Sequence, residues 1–265
     1  MLIEPNKLGI ASDAVIVDCR FALHDVNAGR AAYEAGHIPG AHYLALDVDL
    51  SGPVQACGGR HPLPSAEVFA QRLASLGIGP TTRVIAYDDS RFAFAARLWW
   101  MMRAIGYRPP ELLNGGYSAW LSAGGEPEVG VAEVSPAAVA VDVAFSGACA
   151  IDDLADLQAG GAALVDSREA NRYQGLEEPI DPVAGHIPGA VNRPWQGVTS
   201  DDGRMGAELH LRQHWGDLLE NESIVVYCGS GVTACVNLFS LAVLGRDDAV
   251  LYAGSWSDWC SYLDT

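Results

Sequence analysis

The 265-residue chain has no uninterrupted apolar stretch of the ~20 residues that a bilayer-spanning helix needs, so no membrane partner is expected. Its first residues, MLIEPNKLGIASD, lack the basic start, long apolar run and small-residue cleavage site of a secretory leader, and the expected location is the cytoplasm. Six cysteines, at 19, 57, 149, 228, 235 and 260, form no CxxC pair and no paired Cys/His spacing. A disulfide framework or a zinc site is therefore a poor reading, and neither metal nor cofactor is expected. Cys57 and His61, in ACGGRHPLP, are spaced as two metal ligands could be but have no further ligands near them, and the segment is read instead as a border of a cleft. Basic side chains are also scarce, 16 against 33 acidic ones, for a net charge of −17. Such a surface repels a long polyphosphate, so nucleic acid is not an expected partner. A small anion is still admissible, because a few local arginines and backbone amides outweigh the distant field within a Debye length of ~8 Å.

What the chain does have is a core and an internal repeat. Hydrophobic residues make up 49% of it and charged ones 18%, the balance of a folded globular protein. VIVDCR (15–20), AGHIPGAHY (35–43), VIAYDDSRFAFAARLWW (84–100) and LLNGGYSAW (112–120) recur in the same order as ALVDSR (163–168), AGHIPGAVN (184–192), IVVYCGSGVTACVNLFS (224–240) and LYAGSWSDW (251–259). Four blocks in register predict two copies of one domain, over 1–128 and 145–265, joined by a Pro-, Val- and Ala-rich linker over 129–144. Short β-branched runs alternate with helical patterns in each copy, which predicts an α/β fold with a parallel central sheet flanked by helices. The pairs Trp99–Trp100 and Trp256–Trp259 sit at helical positions and are expected in the packing rather than in a ligand platform.

In parallel sheets, ligands bind at the carboxyl ends of strands, where loops lead into helix N-termini. One such junction is IVVY followed by CGSGVT, residues 228–233, and then an apolar helix. Gly229 and Gly231 are expected to let the loop curl so that its amides, including those of Val232 and Thr233, point at one sulfur atom. With the helix N-terminus they favour a thiolate on Cys228, while Ser230 and Thr233 add hydroxyl donors. Cysteine phosphatases use a similar cradle but place an arginine six residues after the cysteine, and that position here is Ala234.

These residues resemble the rhodanese and 3-mercaptopyruvate sulfurtransferase superfamily, over nearly the whole chain: both repeats, the HIPGA segments at 37–41 and 186–190, the CGSGVT loop and the GSWSDW ending at 254–259. The resemblance implies two rhodanese-like domains in tandem, with sulfur carried as a persulfide on Cys228 of the second and the substrate bound between the two. In the first copy the cysteine position holds Asp88, which cannot form a persulfide, so that copy is expected to be catalytically silent. CGSGVT looks like the loop of mercaptopyruvate-specific members, whereas thiosulfate-specific ones carry two basic residues where Gly229 and Ser230 stand. The expected partners are a small anionic sulfur donor, 3-mercaptopyruvate with thiosulfate as the alternative, and a thiol, cyanide or thioredoxin-like acceptor. A non-catalytic binding module is the reading from a different class. Arg172 matches the arginine set against the donor's anionic end, with Asp166 and Arg168 expected to pair and brace its loop. A second family arginine nine residues later is replaced by Asp181, and no substitute is apparent before Arg193. His37 resembles a histidine brought from the first domain to the active serine, oriented by an acid near Asp25, while its repeat partner His186 is expected to be structural.

Overall fold

A computed structural model describes residues 1–10, 13–130, 132, 136–138 and 143–263. Half of the expected linker, 129–144, lies outside them. Two units are present, and they are not contiguous halves. Unit 1 comprises Met1–Gly52, Pro64–Ser146 and Asp201–Met205, and unit 2 comprises Pro53–Leu63, Gly147–Ser200 and Gly206–Thr265. The expected boundaries therefore miss two exchanged segments, 53–63 and 201–205. The second is fastened in unit 1 by side chains distant in sequence: Asn114 Oδ1 accepts from the Met205 N–H at 2.9 Å, and Arg204 pairs with Glu4 at 2.9 Å.

Each unit holds a five-stranded, all-parallel sheet. In unit 1 the strands are β1 (Leu2–Ile3), β2 (Val15–Asp18), β3 (His42–Tyr43), β4 (Val84–Tyr87) and β5 (Glu111–Leu113), in spatial order β1-β5-β4-β2-β3. In unit 2 they are β6 (Ala148–Cys149), β7 (Ala163–Asp166), β8 (Val191–Asn192), β9 (Ile224–Tyr227) and β10 (Val250–Tyr252), in the matching order β6-β10-β9-β7-β8. The helices are α1 (Ala28–Ala35), α2 (Ala66–Ser75), α3 (Ala95–Ala104) and α4 (Gly116–Ser122) in unit 1 and α5 (Ile151–Ala159), α6 (Ala170–Tyr173), α7 (Glu208–Trp215), α8 (Ala234–Val243) and α9 (Ser255–Cys260) in unit 2. The central strands VIAY and IVVY are buried along their whole length, the pattern of a parallel strand covered on both faces. Helices α3 and α8 follow them directly and are almost wholly buried, Trp99 and Trp100 included. Among the described residues no helix is long and apolar enough to cross a membrane.

The same buried lock fastens the strand ends of both units. Asp18 ends β2 beside Tyr87 of β4, and Asp166 ends β7 beside Tyr227 of β9. Arg20 grips Asp18 at 2.6 Å and Arg168 grips Asp166 at 2.6 Å, each guanidinium lying over an aromatic ring, Tyr117 in one unit and Trp256 in the other. Tyr87 and Tyr227 hydroxyls bond the same two carboxylates and accept the N–H of Ile38 and Ile187 in turn. Burial, with the adjacent carboxylate second, pushes both phenols far above the ordinary tyrosine range, so they remain neutral donors. The histidines of the two HIPGA segments belong to this scaffold. His37 Nδ1 sits 2.8 Å from the Tyr33 carbonyl and its ring stacks on Tyr33 at 4.0 Å, and His186 repeats both contacts with Tyr173 at the same distances.

Breaking such a lock leaves a buried guanidinium without its carboxylate, a loss of about 3–5 kcal/mol. Asp18→Ala should lower the denaturant midpoint accordingly, whereas the surface change Asp152→Ala should move stability by less than about 0.5 kcal/mol. Equal effects of the two would refute the assignment.

Candidate active site

Unit 1 shows what the loop after the central strand is built to hold. The Asp88 carboxylate, one residue past β4, accepts four backbone N–H groups: Ser90 (2.8 Å) and Phe92 (3.1 Å) on Oδ1, Phe94 (2.9 Å) and Ala95 (2.9 Å) on Oδ2. Burial pushes this carboxyl up and the four amides pull against it. Two donors on each oxygen leave no place for a proton, so the geometry is that of an anion in an amide cradle at a helix N-terminus. Arg91 and Phe92 pay for the curl with left-handed backbone, φ 57° and 68°.

In unit 2 the corresponding residue is Cys228, one residue past β9 and 2% exposed. Gly231, φ 73°, takes the place of Arg91, while Val232 needs no left-handed conformation where Phe92 does. A Cβ at Gly231 would meet the Ala253 carbonyl at 2.3 Å, so both φ and space demand glycine there. Gly229 has a different reason from the expected one. Its φ is not left-handed, but a Cβ there would lie 3.1 Å from Arg60 Nη2 and 3.5 Å from Arg172 Nη1, so it keeps space open for two guanidinium groups. The Cys228 N–H is held by Ser255 Oγ at 3.1 Å, itself fixed by donating to the Tyr252 carbonyl at 2.9 Å. Ser255 is buried at φ 59°, the repeat position of Gly116, a strained residue spent on anchoring the cysteine backbone. Ala234 is fully buried and carries no cation, which keeps the phosphatase reading closed.

The histidine at Ser230 is His61. Its Nδ1 lies 2.8 Å from Ser230 Oγ, in a pair able to take or give a proton. His37 is corrected on this point: it is fully buried in unit 1, its Nδ1 committed to the Tyr33 carbonyl, and its structural duplicate His186 shows that the ring serves the fold. Asp25 Oδ1 accepts from the Asn27 N–H at 3.1 Å in a local turn. His61 reaches the loop because segment 53–63 packs on the start of α9. Gly58 N–H donates to Asp258 Oδ1 at 2.6 Å and Arg60 N–H to Ser257 Oγ at 3.1 Å. A Cβ on Gly59 would meet the Gly254 carbonyl at 2.5 Å. Gly58-Gly59 directly before Arg-His was the available sign of such a close backbone approach.

Arg172, on the short α6, lies beside the loop as expected, 13% exposed. Its Nε and Nη2 bond Glu178, and Nη2 also reaches Asp181 at 3.0 Å. Arg168 extends from the Asp166 lock to the same Glu178 at 3.2 Å, so the pair does brace the Arg172 loop. Arg60, which sequence reasoning missed, pairs with the other oxygen of Asp181. Burial draws the Arg60 guanidinium down from its usual value, and the charge of Cys228 opposes that shift. Among the described residues no cluster of three or more His, Cys, Asp or Glu could hold a metal ion.

The rhodanese-like domain family matches residues 6–123 and again 150–262. A Pseudomonas aeruginosa protein provisionally named as a 3-mercaptopyruvate sulfurtransferase is 43% identical, covering 93% of this chain and 89% of its own. A Mycobacterium tuberculosis protein, SseB, provisionally named as a thiosulfate sulfurtransferase, is 42% identical over 95% of this chain and 89% of its own. The crystal structure of Escherichia coli SseA, described among the 3-mercaptopyruvate sulfotransferases, superposes with a TM-score of 0.84 at 30% identity, covering 97% of this chain and 98% of that one.

Removing the anion from the unit 1 cradle leaves inward-facing amides unanswered. Asp88→Ala should destabilise the protein by on the order of 3 kcal/mol or more in thermal or denaturant unfolding. Asp88→Asn should cost a comparable amount, because its NH₂ sets a donor against donors. An unchanged midpoint for both would show that the carboxylate is not what holds the loop.

Proposed function

The chain belongs to the rhodanese family, and from that premise we propose that it is a sulfurtransferase that takes sulfur from 3-mercaptopyruvate and holds it as a persulfide on Cys228. The observation that carries the reading is the match between the two loops: where unit 1 seats the Asp88 carboxylate on four amides, unit 2 places a cysteine. A carboxylate oxygen stands two bonds beyond Cβ, and so does the outer sulfur of a cysteine persulfide. The loop amides of unit 2 accordingly stabilise the negative outer sulfur, and the α8 N-terminus adds to them.

The Cys228 thiolate attacks the donor's sulfur. The new S–S bond forms as the C–S bond breaks, and its electron pair leaves on carbon as the enolate of pyruvate. The proton of the donor's thiol is transferred to that carbon, so that thiolate plus mercaptopyruvate becomes persulfide anion plus pyruvate. Ser230, hydrogen-bonded to His61, is the group placed to hold the enolate oxygen and relay the proton. Arg172 faces the donor's carboxylate. An acceptor thiolate, cyanide or a thioredoxin-like protein then attacks the outer sulfur and regenerates the Cys228 thiolate. A chain whose described cysteines are all free suits the reducing cytoplasm.

Charge supports the donor. Around the loop two guanidiniums, Arg60 and Arg172, are balanced by two carboxylates, Asp181 and Glu178, so the near-neutral surround offsets the burial of a donor with one negative charge better than that of the dianion thiosulfate. A mercaptopyruvate donor brings one carboxylate. Thiosulfate is kept as a second reading because SseB of Mycobacterium tuberculosis carries that name at similar identity.

Protein treated with 3-mercaptopyruvate should gain one sulfur on Cys228 by mass spectrometry and release one pyruvate, and Cys228→Ser should do neither. The kcat/KM for 3-mercaptopyruvate should exceed that for thiosulfate by about tenfold or more. His61→Ala and Ser230→Ala should each lower kcat by about 10²–10⁴-fold, the range for a lost general acid–base group, while His37→Ala should affect stability. Faster turnover with thiosulfate would select the second reading, and no sulfur gained from either donor would leave a binding module.

A further inference from the structure

Arg172 cannot grip a carboxylate alone in the usual forked manner. That grip needs two parallel N–H groups on one edge of the guanidinium, and the Nε/Nη2 edge of Arg172 is occupied by Glu178. Nη2, 3.6 Å from the Cβ position of Gly229, gives its second N–H to Asp181, so Nη1, at 3.5 Å, is the nitrogen whose N–H groups remain for a ligand. A second guanidinium converges on the same spot. Arg60 spends Nη1 on Asp181 and presents Nη2 at 3.1 Å from that Cβ position, and its side chain retains 33% of its exposure. Two like charges would not share this place without the buried Asp181 carboxylate, which divides its oxygens between them, Oδ1 to Arg60 and Oδ2 to Arg172.

We propose that Arg60 is the second donor-binding cation of this site, that Arg60 Nη2 and Arg172 Nη1 together clasp one carboxylate beside Gly229, and that Asp181 is the residue that positions them. The inference deepens the sulfurtransferase reading and rests on it. It explains why an acid can stand at 181, where the resemblance leads one to expect an arginine: the cation comes from segment 53–63 and the acid holds it. It also gives Gly229 its role, since any side chain there would fill the place of the donor's carboxylate. The selected donors are thiols with a carboxylate a few atoms from the sulfur, which can reach the clasp while the sulfur meets Cys228.

The test compares 3-mercaptopyruvate with mercaptoacetone, the same thiol ketone without the carboxylate, on wild type, Arg60→Gln and Arg60→Lys. The KM for 3-mercaptopyruvate should rise about ten- to hundredfold in Arg60→Gln, the effect of losing one charge-assisted hydrogen bond, and by less in Arg60→Lys. The kcat should change by no more than about threefold, because His61 and Ser230 keep their bond. With mercaptoacetone, wild type and Arg60→Gln should share one KM. A KM for 3-mercaptopyruvate within about twofold of wild type, or an equal rise with both donors, would overturn the proposal, the latter by showing that Arg60 only supports the loop. The two levels separate cleanly: a wild type that takes up no sulfur on Cys228 defeats the functional reading itself, whereas a wild type that loads beside an unaffected Arg60→Gln defeats only the clasp.

Discussion

A backbone amide turned inward must find an acceptor, and a loop that turns several toward one point needs an anion there. That constraint organises both copies of this domain. Unit 1 meets it permanently with Asp88, whose oxygens take four amides. Unit 2 puts a cysteine at the same place, and there the proposed acceptor is a persulfide sulfur that comes and goes with turnover. A carboxylate and a persulfide are alike in reach and charge, so one kind of loop can hold a structural anion in unit 1 and, on the proposed reading, a reactive sulfur in unit 2, although the residues that make the curl differ, Arg91 and Phe92 against Gly231 and Val232. The surroundings support this: both loops follow a fully buried strand, precede a nearly fully buried helix, and hang from a carboxylate–arginine–tyrosine lock at the strand ends.

Electrostatics near Cys228 is local in an otherwise acidic molecule. The chain carries −17 overall, yet two arginines stand at the residue following the cysteine, each tied to a carboxylate that fixes its direction. The ties run back through Glu178 and Arg168 to Asp166, so the lock that holds the sheet also fixes the direction of the cation proposed to meet the donor's carboxylate. Stability and recognition share the same buried charges.

Much of this was legible in the sequence because the repeat aligns the chain with itself. The α/β architecture, the strand end carrying Cys228, the placement of Ser230 beside it and the Asp166–Arg168 brace all follow from local pattern. The HIPGA setting of His37 repeats at His186, and a repeat marks scaffold as readily as site; both rings make the same tyrosine contacts, and the histidine beside Ser230 is His61. His61 and Arg60 act on residues 169 and 121 positions away, through a segment exchanged between units, and no periodicity records such a contact. The paired glycines before them were the one local trace. Gly229 was read as a hinge and is instead a space, a distinction that depends on side chains arriving from elsewhere in the chain.

The most direct measurement is a crystal structure of the protein after a soak in 3-mercaptopyruvate. The account predicts an added sulfur on Cys228 whose outer atom faces the backbone N–H groups of the loop into α8, in the place the Asp88 carboxylate occupies in unit 1. An added sulfur turned away from those amides and stabilised by side chains alone would contradict it.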